Sequence, residues 1–123
     1  MMMKLLVVFL GGGLGAVARY GAGLAAGRWC GTGLAGTLAV NVLGCLALGA
    51  LYGALQGRAE AWPEEARLCV AVGFLGALTT FSTLNWEAFS LLREGRPACA
   101  AGYVGLSLAL GLLATGVGYW WAK

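Results

Sequence analysis

Four apolar stretches, each long enough to cross a bilayer, take up nearly the whole chain: about Leu5 to Ala26, Leu34 to Leu55, Leu68 to Leu92 and Ala98 to Trp121. A helix rises 1.5 Å per residue, so about 20 residues cover the ~30 Å of hydrocarbon in a bilayer. In a chain of 123 residues this leaves no room for a soluble domain. Only 11% of the residues are charged, and the mean hydropathy is +0.82, the balance of a small polytopic membrane protein. The sequence therefore predicts an all-α membrane protein, with one four-helix transmembrane domain over residues 1–123 and a multi-pass placement in the lipid bilayer.

The connectors are short and charged. Arg28 lies in the first; Arg58, Glu60, Glu64, Glu65 and Arg67 flank Trp62-Pro63 in the second; Arg93, Glu94 and Arg96 precede Pro97 in the third. Trp29, Trp62, Trp120 and Trp121 fall near span ends, where amphipathic rings anchor at the interface. Lys4 followed by an apolar run and Ala16-Val17-Ala18 has the outline of a signal peptide. A regular glycine spacing continues through that supposed cleavage site, so the stretch reads as a retained first helix.

That spacing places Gly11, Gly15, Gly23 and Gly27 at steps of four, with Arg19 in the missing position; Cys45, Gly49, Gly53 and Gly57 repeat it on the second span. Steps of four share one helix face, and small residues there let two backbones approach. Both series are expected to be contact faces. Four spans put Lys4, Arg58, Arg67 and Lys123 on one side of the membrane, and Arg28, Arg93 and Arg96 on the other, with Arg19 close to that side within the first span. Such a near tie sets no strong orientation, which opens the way to insertion both ways up and an antiparallel dimer.

The third span carries Thr79-Thr80-Phe81-Ser82-Thr83, four hydroxyls around an aromatic. On an unbroken helix they would fan across roughly 160° of the circumference, too wide for one helix-helix seam. Either the helix breaks there or both its faces border a polar path. Thr37 and Asn41 share one face of the second span and can present a hydroxyl and an amide to a partner helix or a pore. In the fourth span Tyr103, Ser107 and Thr115 follow a stripe in which Gly111 fills the gap. Such hydroxyls can replace water around an ion, or bond back to their own helix. Arg19, inside the first span, would cost about 2.5 to 3.5 kcal/mol unless it snorkels toward the first connector. Glu87, one turn beyond Thr83, is expected to reach the interface or an arginine. These neutral donors between cationic mouths favour a small anion.

Catalysis and metal chemistry find little support. There is no histidine, and Cys30, Cys45, Cys69 and Cys99 form no C-x-x-C pair, so neither a zinc site nor a redox motif is indicated. A single membrane carboxylate cannot supply paired acid-base chemistry. The run Gly11-Gly12-Gly13-Leu14-Gly15 follows no strand and lacks the acidic residue of a dinucleotide fingerprint. No enzyme activity and no nucleic-acid partner are expected.

Three blocks carry a family resemblance: Gly12-Gly13-Leu14-Gly15-Ala16-Val17-Ala18-Arg19-Tyr20, Gly36-Thr37-Leu38-Ala39-Val40-Asn41-Val42-Leu43-Gly44, and Gly73-Phe74-Leu75-Gly76-Ala77-Leu78-Thr79-Thr80-Phe81-Ser82-Thr83. Together with length and span count they resemble the CrcB/Fluc fluoride channels. The resemblance implies an antiparallel dual-topology dimer in the cytoplasmic membrane, with two fluoride pores, each built from both subunits. It implies a third helix broken mid-membrane, with carbonyls at Gly76 and Thr79 holding a structural sodium ion at the dimer centre. By position, Phe81 is the matching pore aromatic and Asn41 the matching pore amide. Thr37, Ser82, Thr83, Tyr103 and Ser107 extend the polar path, and Arg19 and Glu87 match family positions with a vestibule or structural role. Two positions depart: Leu84 stands where the family has a second pore phenylalanine, and Gly111 where it has a hydroxyl. These departures imply an anion path that runs differently, conducts more slowly, or depends on a paralogous partner subunit that supplies the missing ring. A small multidrug-type proton-coupled exporter shares this size and span count but needs a carboxylate in the first span, and Leu5 to Ala26 has none. A non-transporting structural protein, with polar residues that only join helices, is the other alternative.

Overall fold

In the computed structural model, which describes residues 1–58 and 62–123, the chain is helical throughout and has no strand among the described residues. Glu60 of the second connector lies outside the described residues. Helix α1 runs Met2–Cys30, α2 Gly33–Leu55, α3 Glu64–Arg67, α4 Gly76–Leu78, α5 Phe81–Arg93 and α6 Pro97–Ala122. A π-helical segment, Leu68–Leu75, joins α3 to α4. Four helical stretches are long and apolar enough to span a membrane: α1, α2, the composite Glu64–Arg93, and α6.

The helices outrun the apolar stretches because backbone hydrogen bonding continues into the interfacial region, where charged and aromatic residues are at home. Their ends are locally encoded. Gly31 closes α1 with φ 71°, a left-handed conformation that costs glycine nothing, and Gly95 does the same after α5. Thr32 caps α2, its hydroxyl accepting the Leu34 N–H at 3.0 Å. Pro97 opens α6 at a position where a missing N–H has no cost.

Helix α2 lies along α6, and α1 along the π-helical segment, both at backbone contact. A methyl group at Gly49 or Gly53 would come within 2.2 or 2.3 Å of the Thr115 or Tyr119 carbonyl oxygen, and one at Gly118 within 2.2 Å of the Leu46 oxygen. Gly11 and Gly15 meet the Cys69 and Phe74 carbonyls equally closely. The remaining glycines of the two series do otherwise. Gly27 faces open space, Gly23 has room for a Cβ although its Cα would lie 3.2 Å from a Cβ placed at Gly36, and Gly57 lies beyond the end of α2 with φ 72°. The four-residue step drifts around a 3.6-residue helix, so only part of each series stays on the seam.

The interior is small: Val40, Leu55, Leu75, Leu84, Ala88, Leu91 and Ala100 are its buried apolar residues. Large apolar side chains point outward instead, among them Phe9, Val17, Phe81 and Leu112, each at least 70% exposed. A water-facing surface of this kind would be unsustainable, whereas lipid or a partner subunit covers it without cost.

Candidate functional site

Between α4 and α5 the backbone leaves the helical region at two residues: Thr79 (φ −84°, ψ 153°) and Thr80 (φ −151°, ψ 122°). They lie near the middle of the 30-residue apolar stretch Glu64–Arg93. Polar backbone groups exposed there must find partners, since hydrocarbon offers none.

Asn41 meets that requirement on α2. Its Oδ1 accepts the Thr80 N–H at 2.8 Å, and its Nδ2 donates to the Thr80 carbonyl at 3.1 Å. The Thr80 side chain in turn caps α5, its hydroxyl oxygen accepting the Thr83 N–H at 3.2 Å. In a continuous helix these two N–H groups would donate to the carbonyls of Gly76 and Thr79. Both carbonyls are thereby released from the helical ladder. Arg19 Nη1 donates to the Thr79 oxygen at 3.4 Å, so the guanidinium is directed at the irregular backbone. Carbonyl oxygens are hard donors suited to a hard cation. No cluster of three or more His, Cys, Asp or Glu side chains exists among the described residues, so a cation site here would be built from these oxygens.

A second polar cluster sits around Glu87. Its Oε1 accepts from the Thr37 hydroxyl at 2.9 Å and its Oε2 from the Tyr103 hydroxyl at 2.5 Å. Of the two outcomes expected of Glu87, the interface or an arginine, the arginine is absent: the ion pairs among the described residues are Lys4–Glu64 and Arg96–Glu94. Thr37 and Tyr103 already satisfy both carboxylate oxygens, and no guanidinium reaches them. Thr37 and Asn41, one turn apart on α2, thus serve different clusters.

Two clefts adjoin this region. The first, of about 560 Å³, is bounded by Asn41, Cys45, Gly76, Thr79, Thr80, Phe81, Leu84, Ser107, Gly111 and Thr115 with apolar neighbours. The second, of about 390 Å³, is bounded by Arg19, Tyr20, Thr37, Thr80, Thr83 and Glu87 with small residues of α1 and α2. Phe81 stands on the lip of the first with 75% of its surface exposed, while Leu84 is buried. Ser82 is exposed. Ser107 and Thr115 face the first cleft but donate to the Tyr103 and Gly111 carbonyls of their own helix, at 2.7 and 3.0 Å. The Ser107 and Thr115 protons are therefore turned to the backbone, the second of the two arrangements open to that stripe, while Tyr103 donates to Glu87. Asn41 keeps one amide hydrogen free for the cleft.

Thr80 has no site role in the sequence reading beyond its place in the hydroxyl run. The signal was present: a threonine followed at the third position by a hydroxyl residue, next to a segment too polar to stay helical, is an N-terminal cap in outline.

The family described as CrcB-like protein, Camphor Resistance (CrcB), matches residues 6–119. The chain belongs to the CrcB family. Its CrcB relatives include the fluoride-specific ion channel FluC of Hyphomonas neptunium, 44% identical over 119 residues that cover 96% of this chain and 94% of the relative. The protein of the same name from Methylobacterium nodulans is 45% identical over 115 residues, covering 94% and 92%. That from Pseudomonas syringae pv. tomato is 42% identical over 119 residues, covering 96% and 95%. Every candidate site residue of the CrcB pattern falls inside the matched segment.

Proposed function

We propose that this chain forms a passive fluoride channel, through which fluoride leaves the cell across the cytoplasmic membrane and which thereby confers fluoride resistance. The observation that carries the reading is the likeness over nearly the whole length to relatives named fluoride-specific ion channel. The clefts support it chemically. An anion shedding water needs positive edges and protons. Asn41 offers an amide hydrogen, Phe81 an exposed ring whose edge carries the positive part of its quadrupole, and the α6 hydroxyls protons that a bond rotation turns outward. A potential of 100 mV, negative inside, favours outward movement of one negative charge by about 2.3 kcal/mol. No covalent chemistry is involved.

The same reading extends to assembly. Two copies inserted in opposite senses would cover the exposed Phe81 face and complete each cleft from both subunits; a paralogous partner could fill the second place. The near tie of connector charges and the outward apolar side chains support such a dimer. A structural sodium ion at the dimer centre is supported by the released Gly76 and Thr79 carbonyls, which would hold it once Arg19 no longer donates to the Thr79 oxygen.

Reconstitution of the purified chain into liposomes loaded with fluoride tests the function. Fluoride efflux without an imposed proton gradient is the expected result. Proton-dependent organic-cation flux would establish an exporter instead, and vesicles as tight as protein-free ones would leave a structural protein.

A further inference from the structure

The side chains that can serve an anion are divided between the two clefts. Asn41, Phe81 and Ser107 border the first, Thr37 and Thr83 the second. Among the described residues Thr80 alone borders both. It is buried, uncharged and small, and its hydroxyl lies 3.1 Å from Thr83 Oγ1 and 3.3 Å from Ser82 Oγ. Its backbone is fixed on both sides by Asn41. The hydroxyl donates to Thr83 Oγ1 beside the second cleft, and rotation about Cβ–Oγ turns the same hydrogen toward the first, with no movement of the chain.

We propose that Thr80 is the crossing point of the ion path, where the anion passes from one cleft to the other over a side chain that must be small and neutral and must carry a hydroxyl hydrogen. The inference rests on the channel reading above. It assigns Asn41 a second duty, that of holding Thr80 in register. It also gives Thr80 a role distinct from capping α5. A carboxylate at the same place would present lone pairs and a negative charge to the approaching anion, raising a barrier that burial makes steep.

Capping and crossing separate by substitution, because serine, aspartate and asparagine all cap helices well. Fluoride efflux is measured from liposomes carrying the wild-type chain, Thr80→Ser, Thr80→Asp or Thr80→Asn, each checked by size-exclusion elution and thermal melting in detergent. Thr80→Ser is expected within about 3-fold of wild type, since cap, size class and hydroxyl survive. Thr80→Asp is expected to slow efflux by about 10-fold or more while eluting as wild type does. Should the aspartate variant not fold, Thr80→Asn takes its place, slowed because a planar amide of similar volume has no hydroxyl hydrogen to turn between the two clefts. Wild-type flux through the folded aspartate variant, or through the asparagine variant in its stead, overturns the crossing while leaving the channel intact. Absence of fluoride efflux from the wild-type chain itself would remove both readings together.

Discussion

At Gly44 a single hydrogen atom decides whether the third span can hold its two extended residues. A Cβ there would stand 2.2 Å from Thr79 Cγ2, and Thr79 cannot swing the methyl aside without giving up its hydroxyl bond to the Leu75 carbonyl at 3.0 Å. Gly44→Ala is therefore expected to destabilise the protein by about 1 to 3 kcal/mol, the usual cost of overpacking. Thr79→Ser removes the offending methyl while keeping the hydroxyl and the carbonyl. The double variant should recover most of the melting temperature and of the fluoride efflux lost in Gly44→Ala; strictly additive losses would show that the two residues do not meet in this way. At this scale the sequence was informative about which residues matter and less so about what they face. Asn41 stood out as an amide in an apolar span, but only the fold directs both ends of that amide to the Thr80 backbone. Glu87 was visible as the one carboxylate near a span. Its partners were hidden because Thr37 and Tyr103 come from two other helices.

Between elements, the close approach of α2 to α6 and of α1 to the π-helical segment rests on glycines pressed against carbonyl oxygens. Such contacts replace side-chain packing by dispersion and weak Cα–H···O bonds, and they tolerate no added atom. Gly49→Ala should lower the melting temperature in detergent, because α2 must move away from Thr115 by more than an ångström or carry the clash. Gly27→Ala, with nothing within 4 Å of the added Cβ, should leave the fold of the single chain unchanged. A loss of dimer on size exclusion in Gly27→Ala alone would place that glycine at a subunit contact instead. The two glycine series were legible as periodicity. Which members touch was not, since the register of one helix against its neighbour depends on residues such as Leu46, Thr115 and Tyr119 that carry no pattern of their own. The span count was fully legible, because about 20 apolar residues admit few other fates. The π-helical turn of Leu68–Leu75 had no local mark: its composition, LCVAVGFL, suits an α-helix equally well.

For the molecule as a whole, the decisive quantities are charge balance and an exterior that carries most of the large apolar side chains. Lys4 and Glu64 pair at 2.6 Å at one end, and Arg96 and Glu94 at 3.4 Å at the other; both pairs are exposed and add little to stability. Orientation instead follows the count of basic residues, four on one side and three on the other. An antiparallel assembly needs both orientations from one chain. Two added lysines next to Arg58 should fix the chain one way up, and two added next to Arg28 should fix it the other way. Each biased variant expressed alone should then yield vesicles with little fluoride efflux, because half of every antiparallel pair is missing. Co-expression of the two should restore efflux, since each supplies the orientation the other lacks. Full efflux from either variant alone, with its single orientation verified by cysteine labelling from each side of the membrane, would mean that the conducting unit is parallel or monomeric. The near tie in charge would then have no bearing on assembly.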